Sequence, residues 1–256
     1  MVKMIAVSGK GGVGKTMVSC LLIKSLAELG IENILAIDAD PDSNLAESLG
    51  ERVEKTIGDI REEIFNEKAQ VGVSWRDVLE YRIMETMVET DKFDLIAMGR
   101  PEGPGCYCAI NHVLREVIDI FAKNYDVVVI DTEAGLEHLS RRTTRNVDVL
   151  LIVTDATKKG ITTCKRIMEL SKKLDINIGK IYGIINRASE DIREIINSAN
   201  EIGLEIIGII PEDEYVREYD LHGKPLVELP KDSKAWVSVR EIAEKIIGED
   251  KRDEPT

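Results

Sequence analysis

The sequence predicts an α/β fold: an open, mostly parallel central sheet with helices on both faces. Three observations carry this expectation. Short apolar runs alternate with helical patterns along nearly the whole chain, which is the βαβ rhythm of a parallel sheet. The runs Ile34–Ile37, Val127–Ile130 and Val149–Val153 are unbroken rather than alternating, as suits strands covered on both faces. The first run, Met4–Val7, opens into a glycine-rich turn and then a helical pattern, the strand–loop–helix context of a phosphate loop.

That loop is the organising stretch. Gly9, Lys10, Gly11, Gly12, Val13, Gly14, Lys15, Thr16 and Met17 contain the spacing Gly9-x4-Gly14-Lys15-Thr16. Glycines remove the Cβ atoms that block a close approach to phosphate. Backbone N–H groups and the following helix N-terminus then face the anion. Lys15 is placed to reach the β and γ phosphates of ATP, and the Thr16 hydroxyl to bind Mg²⁺. Lys10 sits where the general motif tolerates any residue. It either neutralises phosphate locally or crosses a dimer interface, and spacing alone does not choose.

The remaining elements follow in order. Residues 17–29 read as a helix with Leu21, Leu22, Leu26 and Leu29 on one stripe, stopped by Gly30. Cys20 lies on it as a packed side chain. The strand Ile34–Ile37 opens into Asp38-Ala-Asp40-Pro-Asp-Ser-Asn44, at a strand end where such sheets place ligands. Asp38 and Asp40 are read as metal- or water-orienting carboxylates; the alternative is an acidic turn capping a helix after Ser43. Helices are expected near 45–49 and 57–65, with a longer one from Trp75 to about Glu89. A strand over 93–98 leads to the breaker-rich segment Gly99–Cys108, followed by a helix over 109–122. Asp131 ends the strand 127–130 as a second candidate Mg²⁺ carboxylate, and Gly135 follows it. Further strands are expected at 149–153, 181–185 and 205–210, with helices at 160–174, 191–202, 214–219 and 233–247 and a charged, frayed tail from Gly248. Asn186 and Arg187 close one late strand, Pro211 and Glu212 the next. The Asn186 amide either reads a base edge or bonds to its own loop.

Whole-chain quantities bound the function. The 256 residues hold one strong nucleotide motif, so a single domain over 1–256 is expected. Lys and Arg total 34 against 47 Asp and Glu, a formal charge of -13. This disfavours nucleic acid or acidic membrane as a partner of the bulk surface. The longest apolar runs are about six residues, far short of a membrane span, and the first strand starts almost at Met1, so a cytoplasmic location is expected. Cysteines stand at 20, 106, 108 and 164. Cys106 and Cys108 at Cys-x-Cys spacing leave three readings open: a soft-metal site, a redox pair, or thiols lining an interface. Two thiolates do not fill a four-coordinate site. Four would, were the pair to meet its copy across a two-fold axis, and such a set suits Zn²⁺ or Ni²⁺.

Gly-Lys-Gly-Gly-Val-Gly-Lys-Thr resembles the deviant phosphate loop of the MinD and ParA class of dimerising ATPases, which includes the nitrogenase iron protein. The resemblance implies an ATP-dependent homodimer with Lys10 acting across the interface. Asp40 would orient the hydrolytic water, and Asp38 and Asp131 would sit by Mg²⁺. Met98 to Asn111 and Asp131-Thr-Glu-Ala-Gly-Leu-Glu-His-Leu139 resemble stretches of CooC-type accessory ATPases. That likeness implies a maturation factor assisting nickel insertion into carbon monoxide dehydrogenase, with Ni²⁺ or Zn²⁺ held by Cys106 and Cys108 at the dimer interface. His112 is a weak further ligand and His138 a hydrogen-bonding group of the switch. Acetyl-CoA synthase maturation is an alternative client. A regulatory or partitioning ATPase is an alternative class, although it leaves the cysteine pair unexplained. An interfacial iron–sulfur electron donor is a third, set against by the single Cys-x-Cys.

Overall fold

The computed structural model describes residues 3–60, 75–100, 116, 118, 120–134, 146–174, 177–188 and 191–253. The strands are β1 (Lys3–Gly9), β2 (Ile34–Ala39), β3 (Val88–Glu89), β4 (Asp94–Ala97), β5 (Val127–Thr132), β6 (Asn146–Asp155), β7 (Asn177–Ala188) and β8 (Glu205–Pro211). They form one sheet in the order β3-β4-β2-β5-β1-β6-β7-β8. All pairings are parallel except β3 with β4. The helices are α1 (Lys15–Glu28), α2 (Asn44–Ser48), α3 (Trp75–Met84), α4 (Lys158–Lys173), α5 (Arg193–Glu201), α6 (Glu214–His222) and α7 (Lys234–Asp253).

The sheet is buried on both faces, so successive residues of one strand feed different cores. Ile5 and Val7 of β1, Val129 of β5 and Leu151 of β6 pack with Leu21, Leu22 and Leu26 of α1 and with Trp236, Val239 and Ile242 of α7. Ala6, Val128, Ile130 and Ile152 face the other way, onto Ile161, Cys164 and Ile167 of α4 and Ala199 of α5. This two-sided burial is why the central strands read as continuous apolar runs. Cys20 and Cys164 are both buried packing residues, as the sequence suggests, and burial pushes both thiols up from their ordinary value. β1 lies between β5 and β6, with later strands on one side and β2 and β4 beyond β5. The loops at the carboxyl ends of β1, β2, β5, β7 and β8 therefore converge, where an α/β sheet changes direction.

Several boundaries differ from the sequence reading. The helix expected to reach Glu89 stops at Met84, and Val88–Glu89 pairs antiparallel with β4. Thr90 closes that hairpin: its hydroxyl donates to the Phe93 carbonyl at 2.6 Å and accepts from the Phe93 N–H at 3.0 Å. Pairing satisfies backbone groups that the edge of β4 would otherwise leave open, a gain no local helical pattern records. The tail from Gly248 is not frayed throughout, because α7 continues to Asp253. β6 and β7 are also longer than expected, since their mutual pairing runs from Asn146–Asn177 to Asp155–Asn186. Of the helices expected at 57–65 and 109–122, residues 57–60, 116, 118, 120 and 121 are helical, and 61–65 and 109–115 lie outside the described residues. No described helix is long and apolar enough to cross a membrane.

Candidate functional site

The phosphate loop leaves β1 at Gly9 and enters α1 at Lys15. Gly14 holds φ 90° at the helix N-cap position, a left-handed conformation that costs other residues energy. A Cβ at Gly14 would also collide with the Asn186 amide. Lys15 is buried at 8% exposure, whereas Lys10 is exposed and pairs with no acid among the described residues. The loop thus carries one lysine inside and one outside.

A cleft of about 560 Å³ runs from this loop along the ends of β7 and β8. Gly12, Gly14, Lys15, Thr16 and Met17 line one end, Asn186 and Arg187 the middle, and Pro211, Glu212 and Asp213 the other. The structure therefore gathers into one cleft the loop residues and both late strand ends that the sequence marks. Val13 is buried behind it at 5% exposure, and Gly9 and Gly11 lie on the loop but do not line the cleft. Asn44 and Ser48 of α2 and Val216, Arg217 and Asp220 of α6 also line it. Asn44 closes the polar stretch that the sequence marks after β2; Ser48 and the α6 residues are not marked there, and the only trace of the latter is the i, i+3, i+4, i+7 spacing of Asp213, Val216, Arg217 and Asp220.

Beneath Thr16 lie two carboxylates. Asp38 of β2 and Asp131 of β5 occupy directly paired positions on neighbouring parallel strands, and both are buried, at 0% and 1% exposure. Asp131 Oδ2 accepts from the Thr16 hydroxyl at 2.7 Å, and its Oδ1 accepts from the Ser19 hydroxyl at 2.9 Å. Asp38 Oδ2 accepts from the Leu45 N–H at 2.9 Å, and its Oδ1 from the Asp40 N–H at 3.2 Å. Burial first, and then the facing Asp131 charge, push the Asp38 carboxyl up to about 7. Burial pushes Asp131 up to about 6, against the hydroxyls of Thr16 and Ser19 and the charge of Lys15, which lower it.

Two like charges crowded under a phosphate loop are a deficit that a cation would relieve. All the donors are hard oxygens, and one carboxylate is already hydrogen-bonded to the threonine hydroxyl, so the set fits Mg²⁺. The capping alternative also holds in part. Asp38 rather than Ser43 caps α2: it accepts the Leu45 N–H, whereas Ser43 sits at φ 50° with no side-chain capping bond. Asp40 lies on the half-buried turn beyond, its Oδ1 accepting from the Asp42 N–H at 3.0 Å.

Asn186 is 3% exposed. Its Nδ2 donates to the Val13 carbonyl at 2.7 Å, and its Oδ1 accepts from the Arg187 N–H at 2.9 Å. The amide is thus occupied by backbone on both sides, one partner being the phosphate loop itself. Its own-loop bond is the structural alternative raised from the sequence; the bond to Val13 was not foreseen. At the far end, Asp213 accepts from the Tyr215 N–H at 2.8 Å, the Ala235 N–H at 2.9 Å and the Ser233 hydroxyl at 2.7 Å. One carboxylate thereby fixes the starts of α6 and α7. Burial alone would raise its pKa, but these hydrogen bonds together hold it below the usual carboxylate range.

Gly135, His138, His112, Cys106 and Cys108 lie outside the described residues. Among the described residues, no group of three or more His, Cys, Asp or Glu side chains is placed to hold a metal ion. His222 ends α6 and is exposed.

Comparison with known proteins fits this geometry. The family model for the CobQ/CobB/MinD/ParA nucleotide binding domain matches residues 4–226. An uncharacterized ATP-binding protein of Methanocaldococcus jannaschii is 52% identical over 248 residues, covering 95% of this chain and 98% of that one. The carbon monoxide dehydrogenase accessory protein CooC of Rhodospirillum rubrum is 32% identical over 243 residues, covering 88% and 89%. Among solved structures, the cell division ATPase MinD of Pyrococcus furiosus aligns with a TM-score of 0.72 at 25% identity, covering 97% of this chain and 99% of that one. The chain therefore belongs to the CobQ/CobB/MinD/ParA nucleotide-binding family, as an ATP-binding and ATP-hydrolysing member that works with Mg²⁺.

Proposed function

We propose that the chain, acting as a single domain, is a nucleotide-switched regulatory ATPase that closes as a homodimer on ATP. The observation that carries this reading is the pair of lysines on one loop, Lys15 buried against the cleft and Lys10 exposed beside it. Lys15 compensates phosphate charge within the protomer, and Lys10 is free to do so for a second copy. The similarity to a cell division ATPase supports a regulatory role for the hydrolysis.

In this reading the triphosphate lies along Gly12–Thr16, with the base toward Pro211 and Glu212 and beside Asn186 and Arg187. Thr16, Asp131 and Asp38 are the residues that would hold Mg²⁺, which would supply charge compensation for the phosphates. Asp40 accepts a hydrogen bond from the attacking water and aims it in line. Positioning and charge compensation then do most of the chemistry. Single-turnover hydrolysis by Asp40→Ala tests this directly. The reading expects ATP to bind and not turn over, and an unchanged rate would remove Asp40 from the mechanism.

A second reading is favoured by one observation, the 32% identity to the carbon monoxide dehydrogenase accessory protein together with the Cys106-x-Cys108 pair. Here the switch serves the maturation of a nickel enzyme, carbon monoxide dehydrogenase or acetyl-CoA synthase. Cys106 and Cys108 from two copies supply four thiolates for Ni²⁺ or Zn²⁺. Arg100, the last described residue before that segment, pairs with Asp42, two residues beyond Asp40. Elemental analysis of the purified dimer decides. About one metal per dimer, lost on Cys106→Ala, supports the carrier. A metal-free dimer with intact cysteines leaves the regulatory switch alone.

A further inference from the structure

Asn186 lies near the carboxyl end of β7, at the point where a base reader would stand, yet both sides of its amide are already held by backbone. A peptide group is planar and trans, so whatever holds a carbonyl also fixes the direction of the next N–H. Asn186 Nδ2 holds the Val13 carbonyl at 2.7 Å, which fixes the Gly14 N–H. Arg187 Nη1 holds the Gly12 carbonyl at 3.3 Å, which fixes the Val13 N–H. These two N–H groups belong to the set that the motif offers to phosphate.

Two further features belong to the same contact. Gly14 lacks the Cβ that would occupy the space of the Asn186 amide. Arg187 stands at φ 53°, a conformation disfavoured for a side chain of its kind, and in that turn its N–H closes onto Asn186 Oδ1 at 2.9 Å. The strained turn thus locks the asparagine rotamer that reaches the loop.

We propose that Asn186 is a positioning residue for the phosphate loop, a strut that orients the loop's anion-binding N–H groups whatever base is bound, with Arg187 as its second tether. This rests on the nucleotide reading of the cleft and deepens it, because the contact links the base end of the site to the phosphate end.

A ligand without a base separates the strut from a base reader. Calorimetric affinities for ATP, GTP and inorganic tripolyphosphate are compared between wild type and Asn186→Ala. The strut predicts that Asn186→Ala weakens tripolyphosphate and ATP alike, by about tenfold, or about 1.4 kcal/mol. The preference for ATP over GTP then stays within about twofold of wild type. Unchanged tripolyphosphate affinity with a lost ATP preference overturns the proposal and makes Asn186 a base reader only. Should Asn186→Ala fail to fold, Asn186→Ser, whose hydroxyl is too short to reach Val13, gives the same two alternatives. A wild-type protein that binds neither ATP nor tripolyphosphate would instead overturn the nucleotide reading of the cleft, and the strut with it.

Discussion

Replacing Asp131 by Asn should stabilise the metal-free protein at pH 8 while abolishing its response to Mg²⁺. Asp131 is 1% exposed and paired across the strands with Asp38. Burial raises its folded pKa from 3.8 to about 6. Each unit corresponds to about 1.4 kcal/mol, so ionising it in the folded protein costs roughly 3 kcal/mol. A carboxyl whose folded pKa is raised binds its proton more tightly when folded. Stability therefore falls as pH rises from about 4, through the folded value near 6 for Asp131 and near 7 for Asp38, and is flat above.

Asparagine is isosteric and uncharged. The Thr16 and Ser19 hydroxyls that donate to Asp131 at 2.7 and 2.9 Å can also accept, so one can rotate to receive the new amide. Allowing for an imperfect fit, Asp131→Asn should gain about 1–3 kcal/mol at pH 8, or about 2–4 °C per kcal/mol for a chain of this size. Thermal unfolding in chelator at pH 5 and pH 8, then with Mg²⁺ and ADP, measures this. The expected variant is more stable than wild type at pH 8, has a shallower pH slope, and gains little from Mg²⁺. A variant less stable at pH 8, or one with the wild-type slope, would refute the argument that the two carboxylates are held in charge deficit for a cation.

Other perturbations follow from the same geometry. Ser19→Ala removes one of the two hydroxyls on Asp131 without touching the cleft; the Mg²⁺ concentration at half-maximal hydrolysis should rise about three- to tenfold, the net energy of about one ordinary hydrogen bond, with ATP affinity in chelator unchanged. Asp213→Ala leaves the N-termini of α6 and α7 without their shared acceptor, and should cost about 2–3 kcal/mol in urea unfolding and raise the KM for ATP more than it lowers kcat. Because hydrogen bonds hold the Asp213 carboxyl low, its contribution is present at neutral pH and is lost as pH falls through its folded value. Lys10→Ala should keep ATP binding by one protomer, measured calorimetrically, and lose hydrolysis.

What the sequence reveals and what it hides divide along a physical line. The phosphate loop is legible because its chemistry needs fixed residues at fixed spacing, and Gly14 meets both the φ and the space requirement. Asp38 and Asp131 are legible as polar residues ending apolar strands, a signal that burial on both faces makes sharp. Their pairing is not, since it depends on β2 and β5 becoming neighbours from distant parts of the chain. Ser19 is hidden for the same reason: a serine on a buried helix is ordinary until Asp131 arrives beside it. Asp213 could be placed in a loop, but its capping of two helices requires α7 to start where α6 does. Val88–Glu89 reads locally as helix, and edge pairing with β4 outweighs that local pattern. Asn186 is legible as a polar residue near a strand end, and the structure puts it on the cleft wall; its bond to Val13 is not legible, since the distance between the two along the chain conceals their contact.

The central claim is that ATP closes two copies of this chain across the phosphate-loop face. Light scattering on a chromatographic peak tests it most directly, comparing nucleotide-free, ADP-bound and ATP-bound protein in Mg²⁺, with Asp40→Ala to prevent turnover. The account predicts that ATP shifts the mass from 28.6 kDa per chain to twice that value, and that Lys10→Ala abolishes the shift. A mass that is the same in all three states, or an ATP-dependent dimer indifferent to Lys10, would contradict it.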